Sequence, residues 1–227
     1  MNIYFLVEGR RTEKKVYPKW LSILIPALKE IKNPFEVENN NYYLFNGNGF
    51  PSLLDNHLKN AFEDVNQILK FNYFVICLDS DDDSVEERKQ QVVDFITNNK
   101  LTLISCEIII IVQNKCIETW FLGNRNVYSR QPHSQKLLSF NNFYNVRTND
   151  PELMDNFIEY DTTAQFHQVY LSEMLLERNI RYTKKNPNEV VEEYYLNELI
   201  NRASSTNHLS SFKTFIDFCN NINSSIK

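Results

Sequence analysis

The sequence predicts an α/β fold: a parallel sheet flanked by helices, followed by a C-terminal helical subdomain. Three observations carry that prediction. Short apolar runs recur at residues 3–7, 42–45, 73–78 and 107–112. Between them, apolar residues fall at helical spacing. After about residue 125 the strand-like runs stop, while helical segments continue. Strands alternating with helices at this spacing imply a parallel sheet with right-handed crossovers.

Taken in order, residues 3–7 read as a buried strand entering a turn at Glu8-Gly9. Thr12 stands where it can cap the next helix, whose apolar positions include Val16, Trp20, Ile23 and Leu24. Pro18 and Pro26 are expected to bend or split that helix. Residues 42–45 form a second strand, closed by the turn signal Asn46-Gly47-Asn48-Gly49. PSLLDNHLKNAFEDVNQIL then reads as an amphipathic helix capped by Ser52, with Leu54, Leu58, Ala61, Val65, Ile68 and Leu69 on one face.

The third strand, 73–78, runs straight into DSDDDS. Ser84 and Glu87 offer a capping box for a helix carrying Val92, Val93 and Ile96. Residues 107–112, with four consecutive isoleucines and a valine, are expected to be a buried strand. NKCIETWFLG follows as a short helix ended by Gly123. Further helices are expected around 163–178, 188–202 and 209–221, between Asn-rich and Pro-containing loops. The domain plan is therefore a core over 1–125 and a helical extension over 126–227 packed on it.

The chain has 227 residues, 42% hydrophobic and 23% charged, a globular composition. Its net charge of −5 gives no global attraction for nucleic acid, so any such binding needs a local basic patch. No stretch approaches the ~20 apolar residues of a membrane span. The N-terminus places its charges after a short apolar run, the reverse of a secretory signal. Cys77, Cys106, Cys116 and Cys219 lie far apart with no CxxC pair, which argues against a disulfide framework and for a reduced cytoplasm.

The acids suggest chemistry. Glu8 sits at the carboxyl end of the first predicted strand, and Asp79 and Asp81 at that of the third. Open parallel sheets bind ligands outside the carboxyl ends of strands where strand order switches. Two like charges ~4 Å apart at an effective dielectric of ~20 repel by about 4 kcal/mol. Three converging carboxylates therefore call for a divalent cation, and hard oxygen ligands suit Mg²⁺ or Mn²⁺. The rival reading of DSDDDS is a solvated, capped turn, since Asp and Ser favour both. An EF-hand fails: Asp79, Asp81 and Asp83 have the opening spacing, but Ser84 replaces the turn glycine and Gln90 the bidentate glutamate.

FLVEGRRTEKKVY followed by VICLDSDDD resembles the Toprim domain of topoisomerases, bacterial primases, OLD-family nucleases and RloB-like proteins. IETWFLGN resembles a segment that follows the fourth strand in the RloB-like branch, and RYTKKNP and LSSFKTFID are similar to later parts of it. The specific part of the resemblance covers residues 1–125 and implies a Toprim-like Rossmannoid core. By that resemblance Glu8 is a metal ligand or general acid–base, and Asp79 and Asp81 bind Mg²⁺. Asp82 and Asp83 extend the acidic run, so either can substitute for Asp81. Glu118 corresponds to an additional acid of the nuclease branch; the competing reading is a surface glutamate beside a core Trp120.

Arg11, Lys15 and Lys19 fall at i, i+4 and i+8, with Arg10 and Lys14 beside them, and can hold a phosphate backbone. A solvated helix face is the alternative. A lysine of the YTKKNP loop, Lys184 or Lys185, can neutralise a developing phosphorane charge; a simply exposed loop lysine is the alternative. His57, His133, His167 and His208 are dispersed without metal-ligand spacing. No GxxxxGK[ST] loop or GxSxG elbow is present. The expected function is a Mg²⁺- or Mn²⁺-dependent nuclease acting on RNA or DNA. The family adds bacterial antiviral defence and an ATPase partner. A non-catalytic binding module and a small-molecule phosphohydrolase are the alternatives.

Overall fold

A computed structural model describes residues 1–226. The four apolar runs become strands, joined by one more. β1 (Asn2–Val7), β2 (Lys29–Ile31), β3 (Asn41–Asn46), β4 (Tyr73–Asp79) and β5 (Glu107–Gln113) form one all-parallel sheet in the order β2-β3-β1-β4-β5. Val7 lies in register with Asn46 on one side and Cys77 on the other. From β1 the chain runs to the β2 edge, returns inward to β3 beside β1, and then crosses to β4 and β5 on the opposite side, so strand order reverses between β1 and β4.

The chain divides into two units. The first holds residues 1–78, 85–112 and the chain from 215 onward; the second holds 79–84 and 113–214. These segments interleave along the sequence.

Unit 1 is a sheet with apolar packing on both faces, which is why β1 has no exposed residue. Alternate residues face opposite sides. Tyr4, Leu6, Phe74 and Ile76 share one core with Phe62 and Val65 of α2 (Lys59–Ile68) and Val92 of α3 (Val85–Asn98). Phe5 faces the other way, towards Tyr17 of α1 (Glu13–Leu24) and Phe218 of α8 (Ser210–Ser225). Tyr17 and Phe215 meet edge to face at 5.3 Å.

Unit 2 is helical: α4 (Ile117–Phe121), α5 (Gln135–Phe143), α6 (Thr163–Leu176), α7 (Glu193–Ser205) and the first turn of α8. Its aromatic core includes Phe140, whose ring meets Phe166 at 5.2 Å and Tyr170 at 5.4 Å. It also buries charge, with Glu118, Glu152 and Arg202 all nearly inaccessible. No described helix is long and apolar enough to cross a membrane.

Several local expectations need correction. Pro18 lies at the middle of α1 without splitting it, removing the donor that would bond the Lys14 carbonyl. Neither Thr12 nor Ser52 makes a side-chain cap bond. Residues Leu53–Leu58 are wound as a π-helix before α2; its wider turn brings the buried Leu53 and Leu58, five apart, onto one side. β5 is an edge strand: Ile108, Ile109 and Ile110 are only half-buried, and full burial begins at Ile111. Gly123 is not a left-handed helix stop. It is needed because a Cβ there would lie 2.8 Å from the Trp120 carbonyl oxygen and 2.5 Å from Leu209.

Candidate active site

In unit 1, Glu8 follows β1 directly. Its N–H donates to the Cys77 carbonyl at 2.9 Å, and its own carbonyl accepts from Gly49 N–H at 3.0 Å. The Asn46–Gly49 turn thus folds under it, with Gly49 at φ +89°, a conformation that glycine adopts without strain. Glu8 Oε1 accepts the Phe50 N–H at 3.1 Å, which orients the half-buried carboxylate. A second acid lies beside Gly9. Glu13 is buried in the first turn of α1, and its carboxylate occupies the space that a Cβ on Gly9 would need, 1.9 Å from Oε2. Gly9 therefore makes room for Glu13, a residue that the sequence reading did not single out.

In unit 2, the DSDDDS loop is fastened to the segment after β5. Ser80 N–H donates to Gln113 O and Asp81 N–H to Lys115 O, both at 2.9 Å. Lys115 N–H returns to Ser80 Oγ at 2.9 Å. Asp81 and Lys115 both take left-handed backbone conformations, φ 51° and 67°, which Asp tolerates better than most residues. Asp83 N–H donates to Ser80 O, closing the turn, and Asp82 Oδ1 accepts from Thr163 Oγ1 at the start of α6. Asp79, Asp81 and Asp83 are half-buried, and Asp82 is exposed.

The loop after β5 leads into α4, where Glu118 is 1% exposed. Its Oε1 accepts from Tyr182 Oη at 2.8 Å and lies 3.8 Å from Lys184 Nζ, an ion pair rather than a hydrogen bond. Its Oε2 is buried with no hydrogen-bond partner. A tight turn, with Thr183 and Asn186 exchanging backbone bonds, holds Lys184 at its tip. The Cys116 thiol reports the local field. Burial pushes it well above its usual range, the negative charges of Glu118 and Asp79 push it further, and Lys184 acts the other way. Asp79, Glu118 and Lys184, far apart in sequence, thus act on one buried thiol.

No family model, curated protein or solved structure matches the chain.

Among the described residues, no group of three or more His, Cys, Asp and Glu side chains is gathered as a ready-made ion cage. The donors that unit 2 does supply are carboxylate oxygens, the type a hard divalent cation takes, and Glu118 Oε2 stands unpartnered beside them. Arg11, Lys15 and Lys19 are all exposed in unit 1, Arg11 ahead of α1 and the lysines on it. The surface reading of Glu118 is wrong, since that residue is buried. Tyr182 and Cys116 escaped the sequence reading. Tyr182 is 64 residues from its partner, and no local pattern signals such a contact.

Proposed function

We propose that the chain is a metal-dependent phosphodiesterase of Toprim type, a nuclease cleaving RNA or DNA. The observation that supports this most is Glu118, a buried carboxylate with one open oxygen that shares the Cys116 environment with Asp79 and Lys184. Burying an acid without full satisfaction is costly, and such groups concentrate where chemistry needs them.

Asp79 and Asp81 are the carboxylates that would hold Mg²⁺ or Mn²⁺, with Asp82 or Asp83 able to replace Asp81. The chemistry so supplied is polarisation of a phosphate oxygen and activation of water for in-line attack. Lys184 offsets negative charge building on the phosphate. Tyr182 fixes the orientation of Glu118 and leaves its second oxygen available to the chemistry. The Toprim resemblance gives Glu8 its own role as ligand or general acid–base. It also extends the proposal to a helical C-terminal subdomain, a cytoplasmic setting, antiviral defence and an ATPase partner.

The missing three-acid cage among the described residues favours a second reading, a Toprim fold that binds nucleic acid or a partner without cutting. One experiment separates the two. Purified protein is incubated with single-stranded, duplex and transfer RNA or DNA in Mg²⁺, Mn²⁺ or EDTA. Cleavage is expected with metal and not with EDTA. Asp79→Asn and Glu118→Gln should each lose at least ~10²-fold, comparable to removing a main electrostatic stabiliser, with native circular dichroism. Full activity in Asp79→Asn would sink the assignment. Binding without cleavage in every condition would select the second reading.

A further inference from the structure

We infer that unit 2 carries a second ligand site, an arginine-lined cavity that takes the phosphate group of a nucleotide. The cavity has a volume of about 510 Å³, and its polar lining includes Arg125, Arg147, Arg178, Asn126 and Thr148, with Glu198 the one carboxylate. None of these residues belongs to the acidic site described above. Three guanidinium groups against one carboxylate leave a local charge of +2 in a chain whose formal net charge is −5.

The arginines are held ready rather than spent. Arg125 Nε donates to Glu198 at 2.7 Å, which uses one of its five donors. Arg178 donates to the Val127 and Tyr128 carbonyls, fixing its plane. Among the described residues, the Arg147 guanidinium has no hydrogen-bond or ion-pair partner, although Arg147 is half-buried. The backbone that carries it is pinned from below. Buried Arg202 donates to the Val146 and Asn149 carbonyls, which bracket Arg147 and Thr148. Burial lowers the Arg202 guanidinium to about 10, and the charge of Arg125 adds to that effect.

The donor count selects the ligand. A carboxylate has two oxygens and one charge, whereas a terminal phosphate has three free oxygens and a charge near −2 that matches the lining. Arginine forks fit that group better than lysines would. The volume exceeds what a lone phosphate fills and lies in the range of small-molecule sites, which leaves room for the nucleoside. The phosphate can come from a free mononucleotide or from the 5′ end of an oligonucleotide, and the test separates them.

Binding is measured calorimetrically in EDTA, so that metal at the acidic site plays no part. The probes are adenosine monophosphate, adenosine, and one oligonucleotide with either a 5′-phosphate or a 5′-hydroxyl. A phosphate-dependent gain with the mononucleotide identifies a free nucleotide as ligand; a gain confined to the 5′-phosphorylated oligonucleotide identifies a nucleic-acid end. In either case Arg147→Gln should weaken binding about tenfold or more, the loss expected for a charge-assisted pair. Arg147→Lys, which keeps the charge but not the fork, should recover only part of it. Inorganic phosphate should compete. The proposal is overturned if phosphate adds nothing with either probe, or if both Arg147 variants, natively folded, bind as tightly as the wild type.

Discussion

Glu118 and Glu152 are buried in the same unit to nearly the same degree, 1% and 3% exposed, yet their surroundings differ. Glu152 lies in the 3₁₀ turn Pro151–Leu153 and caps α8. Its Oε1 accepts from Ser211 Oγ at 2.6 Å, both carboxylate oxygens accept from Ser211 N–H, and Oε2 also accepts from Ser210 Oγ. A negative group there also suits the positive end of the helix. Glu118 has Tyr182 on one oxygen and nothing on the other. The contrast separates two uses of a buried acid. A fully donated carboxylate organises the fold, and an incompletely donated one is, on the function proposed above, the group left for chemistry.

The comparison breaks most directly on stability. Glu152→Ala should lose about 3 kcal/mol or more, because the Ser211 and Phe212 N–H groups are left buried without an acceptor. Urea unfolding measures it. A loss no greater than that of Glu118→Gln would erase the distinction.

Acid titration sharpens it. Burial raises Glu152 above its ordinary 4.5 despite its donors, so the added stability that comes with its proton is present below 4.5 and is lost as pH rises through the folded value, while the bonds from Ser211 persist in the ionised form. His167 runs the opposite way. Burial lowers it to about 3; its Nδ1 accepts from Thr119 Oγ1 at 2.8 Å, and its Nε2–H donates to the Met154 carbonyl. The unfolded chain binds the proton first, so this contribution is present above 6.5 and lost as pH falls towards 3. His167 should therefore remove about 2 kcal/mol between pH 6.5 and 5 at 1.36 kcal/mol per unit, and His167→Gln should flatten that limb in unfolding curves.

Glu118→Gln should change stability by less than about 1 kcal/mol, since the amide can still accept from Tyr182, while activity falls. Smaller still is the effect of replacing Arg11, Lys15 and Lys19 with Gln. Their exposure leaves folding unchanged, and polynucleotide binding should lose roughly one unit of salt slope per phosphate contact removed. An unaltered slope would make them an ordinary solvated face.

The sheet was legible because its four longer strands are apolar runs closed by turn signals. β2 escaped because Lys29 and Glu30 are exposed on a three-residue edge strand, so it has no apolar pattern to read. α5 escaped because its sequence, QKLLSFNNF, contains only a short apolar stripe. Among the candidate residues, the positions of Glu8 and Asp79, each at the end of its own strand, follow from a local signal. The pairing of Glu118 with Tyr182 and Lys184 joins residues more than sixty apart and depends on how the chain returns. Glu152 had no signal at all, since its donors arrive with α8.

The two edges of the sheet differ in their risk of self-association. β2 is short and carries exposed Lys29 and Glu30, features that deter pairing with another chain. β5 is seven residues long, and its isoleucines alternate between faces, with Ile108 and Ile110 packed on the α2 side. Whenever β5 separates from β4, during synthesis or on heating, EIIIIV becomes a free segment of high β-propensity with Glu107 its only charge. The same four isoleucines that complete the sheet are therefore a segment prone to pair with another chain whenever partial unfolding exposes it.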